Sequence, residues 1–149
     1  MGKPKVLFIC VHNSARSRMA EGLLNARCGE HFEAQSAGLE VGKGVNPLAA
    51  AVMQEISLDI TAHPSQVVFD VWKSGGVFAY VITVCSETEA AGCPIFPGPA
   101  KRLHWPFADP SKFAGTQEEQ LQQARAVRDK IAAKIRDWCA QECSSGAVE

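Results

Sequence analysis

Short, continuously apolar segments alternate along this chain with longer segments in which apolar residues recur at helical spacing. Residues 6–9 are all apolar, which is typical of a parallel strand that is buried on both faces. Residues 17–28 follow, and Met19 and Leu23 lie on the apolar face of the helix predicted there. We expect Ser17 to cap the start of this helix and Gly29 to follow its end.

The same criteria predict three more strands and three more helices. We expect the strands at residues 32–37, 78–84 and 103–105, and the helices at residues 46–55, 65–73 and 116–141. Because strands and helices alternate, we predict an α/β fold with three layers: a parallel sheet of about four strands and helices on both of its faces. Residues 1–149 are expected to form this single domain, with residues 144–149 as a frayed tail.

The charge balance narrows the classes of partner. The chain has 15 Lys and Arg against 16 Asp and Glu, which argues against a basic nucleic-acid face and against polybasic docking on a membrane. The apolar run near the N-terminus is too short for a signal peptide, and no stretch reaches the length of a membrane span. We therefore expect a cytoplasmic protein, and we expect it to be a monomer.

The six cysteines point to thiol chemistry rather than to a disulfide framework. Cytoplasmic cysteines are more often reactive or metal-binding than structural, so we expect any disulfide to be transient. We assign no role to Cys28 at the end of the first helix, or to Cys139 and Cys143 on the last one.

One segment, residues 10–17, carries the pattern of an oxyanion-binding loop between a buried strand and a helix. Backbone N–H groups at such a junction, together with the helix dipole, bind a tetrahedral anion, and the same field favours a thiolate at Cys10. Arg16 can offer a bidentate fork to the anion, and the Ser17 hydroxyl can reach the sulfur. The structural alternative is that Cys10 is only a buried cysteine at the end of a strand and that Arg16 lies on a solvated turn of the helix. The residues that would surround the anion are Val11, His12, Asn13, Ser14, Ala15 and Arg16.

Residues 6–17, continued by Met19-Ala20-Glu21, resemble the opening of arsenate reductases that have the low-molecular-weight tyrosine phosphatase fold. Further matching segments follow in the order of the family: Ser36-Ala37-Gly38, Val45-Asn46-Pro47, residues 81–85 and residues 104–110. The resemblance implies that fold, Cys10 as the nucleophile, and Asp109 as the general acid that protonates the departing oxygen. Taken alone, Asp109-Pro110 is only a turn signal.

Two further cysteines separate a reductase from a phosphatase. The resemblance implies a relay in which Cys10 binds arsenate, Cys85 attacks the Cys10 sulfur and releases arsenite, and Cys93 resolves the disulfide for reduction by thioredoxin. A phosphatase needs neither Cys85 nor Cys93, and the alternative is that both are structural or incidental thiols. The spacing between them is one residue longer than the common family pattern, with Gly92 as the insertion. Ser111 stands where the phosphatase branch carries an aromatic residue, which favours the reductase.

The resemblance also concerns a cofactor. Nothing in the sequence indicates a tightly bound cofactor, but thioredoxin-coupled members of the family bind potassium with residues that match Asn13, Glu21 and Ser36. Gln66 or its neighbour stands where these members have a fourth, carboxylate ligand, and Glu21 alone could be a carboxylate on a helix face. The principal prediction is a thioredoxin-dependent arsenate reductase. The alternatives are a low-molecular-weight protein tyrosine phosphatase and a non-catalytic thiol sensor or metal-binding protein.

Overall fold

A four-stranded parallel sheet forms the centre of the computed structural model, which describes residues 3–13, 15–40, 44–62, 65–75, 77–85 and 100–144. Within these residues the strands lie in the order β2-β1-β3-β4. Their bounds are Lys5–Cys10 for β1, Glu33–Gly38 for β2, Tyr80–Thr83 for β3 and Lys101–His104 for β4. Every pairing is parallel, which confirms the predicted fold class.

Four α-helices are present in the same described residues, together with a short 3-10 turn at Pro110–Lys112. They are α1 (Arg16–Cys28), α2 (Pro47–Gln54), α3 (Val68–Lys73) and α4 (Gln117–Ser144). The side chain of Asn46 caps α2 by accepting hydrogen bonds from the backbone of Leu48 and Ala49. None of the helices in the described part of the chain combines the length and apolarity needed to cross a membrane.

The side chains of β1 alternate between two cores because successive residues of a strand face opposite sides of the sheet. Val6, Phe8 and Cys10 belong to the larger core, which α1, α2 and α4 also build. Leu7 and Ile9 belong to the smaller core, to which α3 contributes. Cys10 therefore ends the central strand on the side of the sheet that α1 covers.

All four strands end at one edge of the sheet. In the order β2-β1-β3, the strand that follows β1 in the chain pairs on one side of it, and the next strand pairs on its other side. The crevice at such a reversal, at the carboxyl ends of the strands, is where open parallel sheets bind ligands. Cys10 is the last residue of β1 and therefore stands at this end of the sheet.

Two helices begin at other residues than expected. The first helix starts at Arg16 with Ala15 in the cap position, so the prediction that Ser17 caps it is wrong: the Ser17 hydroxyl lies 2.9 Å from the Cys10 sulfur. The third helix starts at Val68 instead of residue 65. Ser65 and Gln66 precede it because both bond to the loop that follows β1.

Cys28 and Cys139 form a disulfide, which corrects the expectation that both are bystanders and that any disulfide is transient. Cys28 is the last residue of α1 and is nearly buried. Cys139 continues the buried stripe of α4 that includes Ile131 and Ile135. The two helices pack in one core, which brings the Cα atoms to 6.7 Å although 111 residues separate the cysteines in sequence.

The Cys28–Cys139 disulfide is expected to stabilise the fold. Closing a loop of roughly 100 residues removes about 4.7 kcal/mol of unfolded-chain entropy in the simplest estimate, and measured gains are usually smaller. We therefore expect reduction to lower the free energy of unfolding by about 2–4 kcal/mol in urea denaturation with and without dithiothreitol. A Cys28→Ser/Cys139→Ser variant should match the reduced wild type and should not respond to dithiothreitol. Equal midpoints for oxidised and reduced wild type would contradict a stabilising bridge.

Candidate active site

Cys10 lies at the junction of β1 and the loop that leads to α1, and only 2% of its surface is exposed. The Ser17 hydroxyl, in the first turn of α1, is 2.9 Å from the sulfur. A hydroxyl at this position can donate a hydrogen bond to a thiolate, and the N-terminus of α1 adds a favourable field. The structure thus brings together the predicted nucleophile and the hydroxyl that the sequence singled out.

Asn13 locks the loop between Cys10 and α1. Its backbone is in the left-handed region, with φ of 52°, a conformation that asparagine tolerates better than most residues. Its buried side-chain amide donates to Ser17 Oγ and to Ser36 Oγ, both at 2.9 Å. The amide oxygen accepts a hydrogen bond of 3.0 Å from the backbone N–H of Gln66. Asn13 therefore couples the hydroxyl beside Cys10 to β2 and to the segment before α3.

The end of β2 supports the loop from below. The backbone N–H of Leu39 donates to the carbonyl of Val11 at 2.8 Å. Gly38 makes this approach possible: a Cβ atom there would lie 2.7 Å from the nitrogen of Asn13 and 2.8 Å from the carbonyl carbon of His12. Both contacts are with backbone, so any side chain at residue 38 must displace the loop.

Gly38→Ala is expected to lower kcat/KM by about tenfold to a hundredfold, because shifts near 1 Å in a catalytic loop cost rates of that order. The two activities that the sequence resemblance leaves open, arsenate reduction and aryl phosphate hydrolysis, should both fall, since both need the same anion site. Gly22→Ala is the matched control: its added Cβ would meet only the side chains of Ile60, at 3.2 Å, and Met53. Wild-type rates in Gly38→Ala would show that the loop tolerates displacement.

Arg16 joins the loop to the segment after β4. Its guanidinium is almost completely buried and donates to the backbone carbonyl of Phe107 at 3.2 Å. It also lies 3.5 Å from a carboxylate oxygen of Asp109, whose side chain is only 16% exposed. Arg16, the predicted anion-binding residue, and Asp109, the predicted general acid, therefore lie together beyond the carboxyl ends of the strands.

Cys85 lies two residues beyond the end of β3 and is a completely buried thiol. The register of the sheet places it near Cys10: Ile9 pairs with Thr83, and the N–H of Val84 donates to the Ile9 carbonyl at 2.9 Å. The chain segment that carries Cys85 thus leaves the sheet beside the one that carries Cys10. Cys93 and Ser14 lie outside the described residues.

The exposed rim of the site carries a side-chain hydrogen bond that the sequence did not indicate. His12 Nε2 lies 2.9 Å from Glu40 Oε1, and both side chains are largely exposed. Glu40 follows β2 by two residues and its backbone N–H also bonds to the Val11 carbonyl, at 3.1 Å. The side chain of His12 therefore points to the rim rather than toward the buried sulfur.

A second arginine, Arg18, lies below the loop and was not singled out in the sequence. Its guanidinium is 2% exposed and donates to the carbonyls of Asn13 and Ile60 and to the Ser65 hydroxyl. Burial lowers the pKa of this guanidinium from its ordinary value, and negative charge on Glu21 and Cys10 acts in the opposite direction. No local signal in the sequence marked this residue, because two of its partners, Ile60 and Ser65, lie more than 40 positions away.

The residues predicted to hold potassium lie together, but their arrangement does not fit the ion. The amide oxygen of Asn13 already accepts a backbone hydrogen bond, and the Ser36 hydroxyl donates to Glu21. The buried Arg18 guanidinium lines the same cavity as this carboxylate, so a positive charge is already present there.

Comparison with known proteins places this site in a family. The sequence profile of the low molecular weight phosphotyrosine protein phosphatases matches residues 5–145. An arsenate reductase of Shouchella clausii is 38% identical over 139 residues, which are 93% of this chain and 96% of that protein.

Solved structures agree with the sequence relatives. An arsenate reductase of Archaeoglobus fulgidus superposes with a TM-score of 0.70 at 29% identity, over 91% of this chain and 98% of that one. A thioredoxin-dependent arsenate reductase of Corynebacterium glutamicum has a TM-score of 0.68 at 28% identity, over 97% of this chain and 64% of that one. The resemblance noted in the sequence is confirmed, and the chain belongs to the low molecular weight phosphotyrosine protein phosphatase family, in which relatives that match over most of its length are arsenate reductases.

Proposed function

We propose that this protein reduces arsenate to arsenite through a relay of Cys10, Cys85 and Cys93. The observation that carries the proposal is the pair of buried thiols, Cys10 and Cys85, that leave adjacent strands at the same edge of the sheet. Hydrolysis of a phosphate ester needs one nucleophilic thiol, whereas reduction of arsenic needs two electrons and hence two sulfurs that can pair. The arsenate reductases that match over most of this chain support the same reaction.

The first step forms a bond between arsenic and sulfur. The Cys10 thiolate attacks the arsenic of arsenate, and one As–O bond breaks. Asp109 donates a proton to the departing oxygen, which leaves as water. The Arg16 guanidinium and the backbone N–H groups of residues 11–15 hold the remaining oxygens, and Ser17 stabilises the thiolate before it attacks.

The second step transfers the electrons. The Cys85 thiolate attacks the Cys10 sulfur, forming an S–S bond and breaking the S–As bond. The bonding pair of the broken bond stays with arsenic, which passes from the +5 to the +3 state and leaves as arsenite. Cys93 then attacks Cys85 and releases Cys10 as a thiolate, so the oxidising equivalents end in a Cys85–Cys93 disulfide.

A dithiol reductant must reopen the Cys85–Cys93 disulfide, and thioredoxin is the proposed donor because the Corynebacterium glutamicum relative is thioredoxin-dependent. Such turnover requires a reducing compartment, so we propose that the protein acts in the cytoplasm. We also propose that it acts as a monomer. Replacing thioredoxin by glutaredoxin or by a low-molecular-weight thiol in the same assay identifies the donor.

The test is arsenate-dependent NADPH oxidation in the presence of thioredoxin and thioredoxin reductase. Cys93→Ser should turn over at background rate, because the Cys10–Cys85 disulfide formed in the first cycle has no internal thiol to resolve it. Cys143→Ser is the matched control and should keep the wild-type rate. A Cys93→Ser variant as fast as the wild type would refute the relay.

The second candidate function is protein tyrosine phosphatase activity. Cys10, Arg16 and Asp109 suffice for it, because a phosphocysteine can be hydrolysed by water without further thiols. We expect slow hydrolysis of an aryl phosphate beside arsenate reduction. Aryl phosphate hydrolysis without any arsenate-dependent NADPH oxidation would make the phosphatase the primary activity.

A further inference from the structure

Arg18 is the largest fully buried side chain among the residues that the structure describes, and it contacts the anion-binding loop at Asn13. Its Nε donates to the backbone carbonyl of Asn13 at 2.8 Å, and Nη1 donates to the Ile60 carbonyl at 2.9 Å. Its Nη2 donates at 3.0 Å to the Ser65 hydroxyl, which in turn donates to the Asn13 carbonyl at 3.1 Å. Arg18 thus holds the Asn13 carbonyl both directly and through Ser65.

The contacts of Arg18 extend to the nucleophile through one short chain of hydrogen bonds. Arg18 fixes the backbone of Asn13, the Asn13 amide donates to Ser17 Oγ at 2.9 Å, and Ser17 Oγ lies 2.9 Å from Cys10 Sγ. Asn13 is in the left-handed region, so its carbonyl and its side chain are held in a conformation that needs support from its neighbours.

The charge of Arg18 lies close to a carboxylate, because Arg18 and Glu21 line one cavity. A buried guanidinium is costly unless negative groups compensate it. Burial lowers the pKa of Arg18, and negative charge on Glu21 and Cys10 opposes that shift. Glu21 is tied to the same network because it accepts a hydrogen bond from Ser36, which also accepts from Asn13. The positive charge therefore sits among the residues that would otherwise surround a bound monovalent cation.

We propose that Arg18 is a built-in cation that positions the Asn13–Ser17–Cys10 chain, so that this protein works without a potassium ion. Arg18 is a positioning residue, since it touches neither the substrate nor the sulfur. The proposal uses the arsenate reduction proposed above as one readout. It is also readable without that reaction, from the rate at which iodoacetamide alkylates Cys10 and from the protection by arsenate.

The first test compares the wild type in potassium chloride, sodium chloride and choline chloride at equal ionic strength. We expect equal rates of arsenate reduction and equal rates of Cys10 alkylation in all three salts. Stimulation of the wild type by potassium of more than about twofold would overturn the proposal, because a built-in cation leaves no place for a second one.

The second test separates the charge of Arg18 from its shape. Arg18→Lys keeps the charge and loses the fork, whereas Arg18→Gln keeps polarity and loses the charge. We expect kcat/KM and the alkylation rate of Cys10 to fall by about tenfold or more in Arg18→Gln and by less in Arg18→Lys. Arg27→Gln, an exposed arginine on the same helix, is the matched control. If kcat/KM and the alkylation rate are as high in Arg18→Gln as in Arg18→Lys, the proposed role of the charge is wrong.

The outcomes also separate this proposal from the proposed function. Absence of arsenate reduction in the wild type would refute the reductase, while alkylation rates in the order wild type, lysine, glutamine would still support Arg18 as the cation. Circular dichroism and thermal melts identify a variant that has lost its fold. If the glutamine variant is unfolded, the comparison of salts on the wild type decides alone.

Discussion

Replacing Cys85 by serine is expected to abolish arsenate reduction while leaving the hydrolysis of an aryl phosphate within about threefold of the wild-type rate. The reason is that Cys85 supplies the second sulfur of the redox step and takes no part in phosphoryl transfer. Cys10 should then accumulate as its arsenate adduct. The measurement is arsenite release in a single turnover, together with aryl phosphate hydrolysis by the same preparation.

The two readouts of Cys85→Ser distinguish the alternatives. Arsenite release at the wild-type rate would show that another thiol attacks Cys10. Loss of both activities would show that the buried Cys85 side chain is needed for the shape of the sheet edge, since it is completely enclosed. A thermal melt separates this second case from global unfolding.

Arg16→Lys is expected to lower kcat/KM for both arsenate and aryl phosphate by about a hundredfold to a thousandfold. Lysine keeps the charge but cannot bind two oxygens of the anion with a planar fork. Its single nitrogen also replaces the two nitrogens with which Arg16 contacts the Phe107 carbonyl, at 3.2 Å, and the Asp109 carboxylate, at 3.5 Å. The measurement is steady-state kinetics for both substrates.

Arg136→Lys is the control for Arg16→Lys, because Arg136 is 73% exposed on α4.

The variant Arg16→Ala tests a different alternative, a non-catalytic thiol sensor. Such a sensor would respond to oxidants equally well with and without Arg16. Unchanged thiol reactivity and unchanged arsenate protection in Arg16→Ala would therefore contradict an anion site at this arginine.

Local patterns in the sequence predicted the parts of the site that lie close together in the chain. The apolar run of β1, the loop after it and the helix start are encoded within about a dozen residues, so Cys10 and Ser17 could be paired from their spacing alone. Cys85 could be placed at the carboxyl end of a predicted strand, whereas Asp109 could be placed in the site only through the resemblance to a known family. Their positions depend on the order in which β3 and β4 join the sheet.

Long-range contacts account for what the sequence did not predict. Arg18 reads as a surface residue until Ile60 and Ser65, more than 40 positions away, are folded around its guanidinium. The start of α3 at Val68 has the same cause, because the preceding residues bond to Asn13 instead of extending the helix. Tertiary hydrogen bonds override local preference in both cases.

The bridge between Cys28 and Cys139 changes what a thiol titration of this protein means. Of the six cysteines, two are consumed by the bridge, so the unfolded but unreduced protein offers at most four groups to a thiol reagent. One turnover of the relay joins Cys85 to Cys93, so each oxidised molecule offers two reactive thiols fewer than a reduced one. A preparation that titrates at six thiols per chain has lost the Cys28–Cys139 disulfide. A preparation that titrates at two thiols per chain already contains the Cys85–Cys93 disulfide.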